Sequence, residues 1–152
     1  MSYHTWTTYG FGFCVDDIYN ESLSVDKILK LAAMEPDVLD DVYDYIDQFC
    51  LENEITKYEF TVDDFDELEG DFCERGIAYI LYHVIKKELP VVFADDFDGV
   101  PYILYCPSYP WNLEDKEKNL TKNDIIDIFN KYIKILTDIT ISIDHQCVQN
   151  GG

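Results

Sequence analysis

The first residues of the chain alternate in the two-residue period of a β-strand. Over residues 3–14, one face collects side chains that favour strands: Tyr3, Thr5, Thr7, Tyr9, Phe11 and Phe13. The opposite face holds Gly10 and Gly12. Because glycine inside a strand indicates a bulge or the close approach of another backbone, we predict a strand over 3–14 with such a feature on its second face.

Several later segments repeat apolar residues at the spacing of amphipathic helices. The predicted helices cover 25–32, 36–51, 61–72, 74–88 and 121–137. Residues that favour a helix start stand at or just before the first, second, third and fifth of them: Ser24, Pro36, Thr61 and Thr121. The second helix has an apolar row of Val38, Val42, Tyr45 and Phe49. The last has the clearest stripe: Ile125, Ile128, Phe129, Tyr132, Ile135 and Leu136. We expect Ile125, Phe129, Tyr132 and Leu136 to be buried.

Two further patterns complete the predicted sheet. Asp98-Gly99 separates two apolar runs, 91–93 and 100–106, and so predicts a hairpin, although Pro101 indicates that the second strand begins late or lies at an edge. Residues 139–147 alternate like a half-buried strand. We therefore expect one α+β domain over 1–150, with amphipathic helices packed on one face of an antiparallel sheet and a frayed end at 151–152.

The charge balance restricts the partners that such a domain can have. The chain carries 31 Asp and Glu against 11 Lys and Arg, a net charge of −20, whereas small domains usually carry a net charge of magnitude ~2–8. A surface of this kind repels phosphate, so direct binding to nucleic acid or to an anionic membrane is not expected. No secretory signal is visible, and the five cysteines are odd in number and scattered. These features predict a cytoplasmic protein with reduced, mostly buried thiols.

No motif for catalysis, a cofactor or a metal ion is recognisable. Aligning Gly99 with the central glycine of a calcium loop places Ala94 and Tyr105 at positions that need oxygen ligands. There is no Cys-x-x-Cys pair, and the three histidines are far apart in sequence. The sequence therefore predicts neither catalytic residues nor a bound cofactor or metal.

The acidic residues are themselves patterned. In the helix predicted over 36–51, aspartates recur every three or four residues: Asp37, Asp40, Asp41, Asp44 and Asp47. At 100° per residue they fall within about 120° of the helix surface, opposite much of the apolar row, and span about 15 Å. One charge per ~3 Å is comparable with the ~3.4 Å per phosphate of a nucleic-acid strand.

Two other segments are candidates for contact with a partner. A second acidic cluster follows the first: Asp63, Asp64, Asp66, Glu67, Glu69, Asp71 and Glu74. A proline-rich loop over 106–112 presents Tyr109 and Trp111. These two aromatic residues either anchor a partner, as tyrosine and tryptophan often do at interfaces, or cap the core.

The aspartates of the 36–51 helix and the acidic cluster of residues 63–74 resemble those of small phage-encoded inhibitors that imitate nucleic acid. Anti-CRISPR proteins and inhibitors of restriction or repair enzymes are examples. The resemblance implies a non-enzymatic protein in the cytoplasm of a bacterial host, bound in the basic groove of a nucleic-acid-handling protein. The alternatives are an immunity protein or antitoxin that neutralises a basic toxin, a metal-dependent enzyme that uses the acidic clusters, and an acidic surface that only improves solubility.

Overall fold

The computed structural model describes residues 5–69, 76–106 and 120–151. Within these ranges the chain forms a single α+β domain with a four-stranded antiparallel sheet and five α-helices, which confirms the predicted class. The strands are β1 (Thr5–Cys14), β2 (Val91–Asp95), β3 (Pro101–Tyr105) and β4 (Asp144–Gly151). The helices are α1 (Val25–Ala32), α2 (Pro36–Asn53), α3 (Val62–Glu69), α4 (Gly76–Ile85) and α5 (Lys122–Leu136). Short 3-10 turns cover Val15–Ile18 and Lys57–Glu59.

Strand β1 lies in the interior of the sheet, whose order is β2-β3-β1-β4. It pairs with β3 only from Phe11 to Cys14, whereas it pairs with β4 from Thr5 to Gly12. The beginning of β1 therefore forms a two-stranded ribbon with β4. This explains why Phe11 and Phe13 are buried, while Tyr9 on the same face is 70% exposed.

The second face of β1 meets its neighbour at close range, as the two glycines predict. A Cβ added to Gly12 would lie 1.9 Å from the carbonyl oxygen of Ile103 in β3. A Cβ added to Gly10 would lie 2.8 Å from the Sγ atom of Cys106 and equally close to the Cβ of Leu104. Glycine is thus required at residue 12 because another backbone occupies the space of a side chain.

The core lies between the sheet and the helices. Helix α5 buries the predicted residues Ile125, Phe129, Tyr132 and Leu136, and the ring of Phe129 packs edge-on against Phe13 with centroids 5.4 Å apart. Its start is fixed by a reciprocal capping box. Thr121 Oγ1 accepts from the Asp124 amide at 3.1 Å, and the Asp124 carboxylate accepts from the Thr121 amide at 2.9 Å.

The predicted hairpin is present, with one correction. Gly99 has φ +78°, and its amide donates to the carbonyl oxygen of Asp96 at 3.0 Å. Strand β3, however, lies between β2 and β1, so of the two alternatives for Pro101 the edge strand is wrong, and the strand begins one residue after the start of the apolar run. Pro101 is tolerated because it is the first residue of the strand, opposite Asp95.

The last strand begins later than the alternation predicts. It starts at Asp144, opposite Gly12, and the same register would place residues 139–141 opposite the 3-10 turn that follows β1. Since no strand is there to pair with them, these residues do not join the sheet. Ile141 is still buried, so its side chain contributes to the core although its backbone does not pair with β1. Gly151, expected to be frayed, pairs with Thr5.

No helix within the described residues is long and apolar enough to cross a membrane. The four described cysteines are free: Cys14, Cys50, Cys106 and Cys147. Of these four, Cys50 is buried, Cys14 and Cys106 are half-buried and Cys147 is exposed, so the prediction of mostly buried thiols is wrong for the described cysteines.

Candidate functional site

Helix α2 separates a buried face from an acidic one. It has 18 residues and is about 27 Å long at 1.5 Å per residue. Its buried row is Val38, Val42, Ile46 and Cys50. The predicted row was therefore right at its first two members, but Tyr45 and Phe49 are only half-buried. A strict four-residue spacing places Ile46 and Cys50 directly above Val42 on the side that faces the domain.

The five aspartates of α2 lie on the opposite side, and we call them the acidic face: Asp37, Asp40, Asp41, Asp44 and Asp47. All are exposed except Asp41, which is half-buried. Within the part of the chain that the structure describes, the side chains of Asp40 and Asp44 have neither a hydrogen bond nor an ion pair, and α2 has no basic residue in its last turn. Like charges four residues apart cost a helix ~0.2–0.5 kcal/mol per pair, so the middle of this face is electrostatically unfavourable in the free protein.

Two residues of the acidic face have partners inside the domain. Asp41 Oδ2 accepts a hydrogen bond from the hydroxyl of Tyr79 in α4 at 2.9 Å. Asp47 Oδ1 lies 2.9 Å from Lys57 Nζ, with both side chains more than half exposed. The hydrogen bond to Asp47 raises the pKa of Lys57. These contacts orient two carboxylates, but an exposed ion pair of this kind adds little to stability.

The second acidic cluster has a different role at its start. Asp63 is exposed, whereas Asp64 caps α3. The Asp64 carboxylate accepts from the Thr61 amide at 2.8 Å, and Thr61 Oγ1 accepts from the Asp64 amide at 3.4 Å. The charge of Asp64 is therefore committed to the helix start, where it also faces the positive end of the helix dipole.

The remaining predicted contacts cannot be placed on a surface. Asp66, Glu67 and Glu69 belong to α3 by their backbone, but their side chains are outside what the structure describes. Asp71, Tyr109 and Trp111 lie outside the described residues altogether. They stay predictions.

Exposed apolar side chains near α2 were missed by the sequence analysis. Leu51 is 82% exposed, and Met34, Tyr43 and Tyr58 are also large, exposed apolar residues. By helical phase, Leu51 falls within the sector of the acidic face, one turn beyond Asp47. The angular position of Leu51 could have been read from the sequence, because an apolar residue among the acidic positions of a helix cannot face the core.

A polar cleft of about 330 Å³ opens between α2 and α4, and we call it the α2–α4 cleft. Carboxylates line one side, namely Glu35, Asp37 and Asp41, and the other side holds Tyr79, His83, Lys86 and Lys87. Glu35 is buried and forms an ion pair with Lys87.

The aromatic side of the α2–α4 cleft consists of two rings in contact. The rings of Tyr79 and His83 have centroids 4.3 Å apart and are tilted by 56°. Burial and the nearby Lys86 lower the pKa of His83, although Asp41 acts in the opposite direction. Burial, followed by the hydrogen bond to Asp41, raises the pKa of Tyr79. At neutral pH the aromatic side therefore consists of uncharged rings.

An apolar cleft of about 370 Å³ lies where the ribbon of β1 and β4 leaves the helices. Its floor is the ring of Phe11, which is 5.1 Å from the His145 ring and 5.3 Å from Lys122 Nζ. The three side chains come from β1, β4 and α5. This cleft lacks acidic residues among those that line it and is separate from the acidic face.

The carboxylates do not form a metal-binding cluster within the ranges 5–69, 76–106 and 120–151. No group of three or more His, Cys, Asp or Glu side chains in those ranges could hold a metal ion. The acidic face spreads its charges along a helix surface, and the start of the second cluster caps a helix. What this arrangement can do chemically is bind a positively charged surface.

Comparison with known proteins adds no relative: no family model, no curated protein and no solved structure matches the chain.

Proposed function

We propose that this protein is a non-enzymatic inhibitor that binds the basic groove of a nucleic-acid-handling protein through the acidic face of α2. The observation that carries the proposal is the row of aspartates on the solvent side of one helix, at a charge spacing close to that of a nucleic-acid strand. A groove lined with lysine and arginine to hold phosphates would offer each carboxylate a partner.

The energetics of the free protein support this proposal. Asp40 and Asp44 face each other one turn apart, and no lysine of α2 relieves them because the helix contains none. Charges of both signs interspersed along the helix would avoid this repulsion and still keep its surface polar. Binding to a basic groove would remove that repulsion and replace it with attraction.

The exposed apolar residues around α2 would supply the non-electrostatic part of the interface. Leu51 continues the acidic face, and Tyr43 lies on a neighbouring side of the same helix. Charges at the rim of an interface act mainly on the association rate, while buried aromatic and apolar contacts slow dissociation. We therefore expect fast, salt-sensitive association with a dissociation rate that depends on Leu51 and Tyr43.

Capture from a lysate of the native host at low salt tests the proposal with two matched variants. Asp40→Asn with Asp44→Asn removes two charges from the acidic face. Asp127→Asn with Asp138→Asn removes two charges from exposed residues in and after α5. We expect the wild type and the α5 control to retain the same basic nucleic-acid-binding protein, and the α2 variant to retain much less.

Thermal unfolding of both variants accompanies the capture. The α2 variant should be at least as stable as the wild type, because asparagine keeps the shape and relieves the repulsion. Equal capture by all three proteins would contradict the proposal. Capture of a basic protein that does not bind nucleic acid would overturn it in favour of an immunity protein or antitoxin.

A further inference from the structure

The α2–α4 cleft places carboxylates and aromatic rings around one space. Its volume of about 330 Å³ is at the lower end of the ~300–1,000 Å³ typical of sites for small groups. Asp37 and Asp41 come from one side, and the rings of Tyr79 and His83 come from the other.

One of the two carboxylates is held in place. The Tyr79 hydroxyl donates to Asp41 Oδ2 at 2.9 Å, which fixes the orientation of the carboxylate and leaves Oδ1 available. Asp37 lies one turn earlier on the same helix face, so the two acids are neighbours of like charge. A cation between them would offset that repulsion.

The charges lining the cleft leave it negative. Glu35 and Lys87 neutralise each other as an ion pair. Lys86, which lies 5.2 Å from the centroid of the Tyr82 ring, opposes only one of the two remaining carboxylates. His83 adds no charge at neutral pH because burial and Lys86 lower its pKa.

The shape and chemistry favour a guanidinium group over an ammonium group. A guanidinium is planar, stacks on aromatic faces and binds carboxylates through two parallel hydrogen bonds, whereas an ammonium is compact and strongly hydrated. We propose that the α2–α4 cleft receives the guanidinium group of an arginine side chain on the partner, with Asp41 and Asp37 as its carboxylates and Tyr79 and His83 as its stacking surface. This inference rests on the proposed function for the existence of a basic partner.

The cleft is tested without the partner by NMR titration with N-acetyl-argininamide and, separately, N-acetyl-lysinamide. We expect argininamide to shift the ring signals of Tyr79 and His83, and lysinamide to bind several-fold more weakly. Asp41→Asn should weaken argininamide binding about two- to fivefold, as for a partly exposed charge pair. Lys86→Met should strengthen it, and the control Asp127→Asn, an exposed residue of α5 outside the cleft, should leave it nearly unchanged.

Three results would overturn the inference. They are the absence of argininamide-dependent shifts, equal binding by the Asp41→Asn variant, and weaker binding by the Lys86→Met variant, which would show that the negative charge of the cleft does not drive the binding. The two proposals fail separately. If Asp40→Asn with Asp44→Asn abolishes partner capture while argininamide does not bind, only the cleft inference is wrong. If argininamide binds as expected while that variant captures the partner normally, only the proposed function is wrong.

Discussion

Replacing Gly12 with alanine is expected to destabilise the protein far more than replacing Gly10. The new Cβ at residue 12 would lie 1.9 Å from the carbonyl oxygen of Ile103 and 2.9 Å from the Cα of Leu104, both backbone atoms of β3. At residue 10 the nearest atoms belong to side chains, and one of them is the Sγ of Cys106 at 2.8 Å. The Cys106 side chain can rotate away, whereas the Cβ of Leu104, also at 2.8 Å, and the carbonyl of Ile103 move only with their strand. The shift needed at residue 10 is therefore about 0.2 Å, against about 1 Å at residue 12.

The expected loss of stability depends on how far β1 and β3 must move apart to accommodate the new Cβ. Real Cβ atoms essentially never approach a heavy atom within 3.0 Å, so β1 and β3 would have to separate by about 1 Å at Gly12. Overpacking in a well-packed site costs ~1–3 kcal/mol, and more where the backbone moves. We expect at least about 3 kcal/mol for Gly12→Ala, a fall in Tm of roughly 6–12 °C for a domain of this size. Gly10→Ala should cost less.

Urea unfolding followed by circular dichroism measures both variants against the wild type. An unchanged m-value would show that the difference in midpoint reports stability and not a change in the unfolded state. A cost below 1 kcal/mol for Gly12→Ala, or equal costs for the two variants, would refute the register of β1 against β3.

Three further predictions concern the core and the charges. Phe129→Ala should lower the free energy of unfolding by ~3–5 kcal/mol, because the ring is fully buried against Phe13; a loss below 1 kcal/mol would contradict this packing. Raising salt to about 0.15 M should raise Tm by screening the net charge of −20, and a Tm insensitive to salt would show that the acids are too well spaced to repel. The Tyr132 hydroxyl donates to the Glu88 carboxylate and, with Lys131, lowers the pKa of Glu88. This stabilisation is present above the ordinary glutamate pKa of 4.5 and is lost as the pH falls through the lower folded value. Tyr132→Phe should therefore be less stable than the wild type at pH 7, and the difference in urea midpoint should shrink on acidification; a constant difference would argue against the Glu88 contact.

Local patterns were sufficient to predict most of the elements. The helix starts at Ser24, Pro36 and Thr121 follow from capping chemistry that acts within one turn. The start of β4 could not be predicted in this way, because alternation at Ile139 and Ile141 looks the same whether or not a strand lies opposite. Only the register with β1, a contact between distant parts of the chain, decides where the ladder ends.

The same limit applies to the candidate site. Helical phase predicted the acidic face of α2, and it also contained the signal for Leu51. Helical phase could not distinguish the two kinds of aspartate, because both lie in acidic runs. Asp64 caps a helix, whereas the side chain of Asp40 has no partner among the described residues. The α2–α4 cleft was invisible in the sequence, since it exists only where α4 packs beside α2 and brings Tyr79 to Asp41.

The most direct test of nucleic-acid mimicry is a competition measurement on the captured partner. A labelled nucleic acid is bound to that protein, and its release is followed by fluorescence anisotropy as the wild-type inhibitor is added. We predict complete displacement at low salt, weaker displacement by Asp40→Asn with Asp44→Asn, and unchanged displacement by the α5 control. A ternary complex, in which the partner holds the nucleic acid and this protein together, would contradict the claim that the acidic face occupies the nucleic-acid groove.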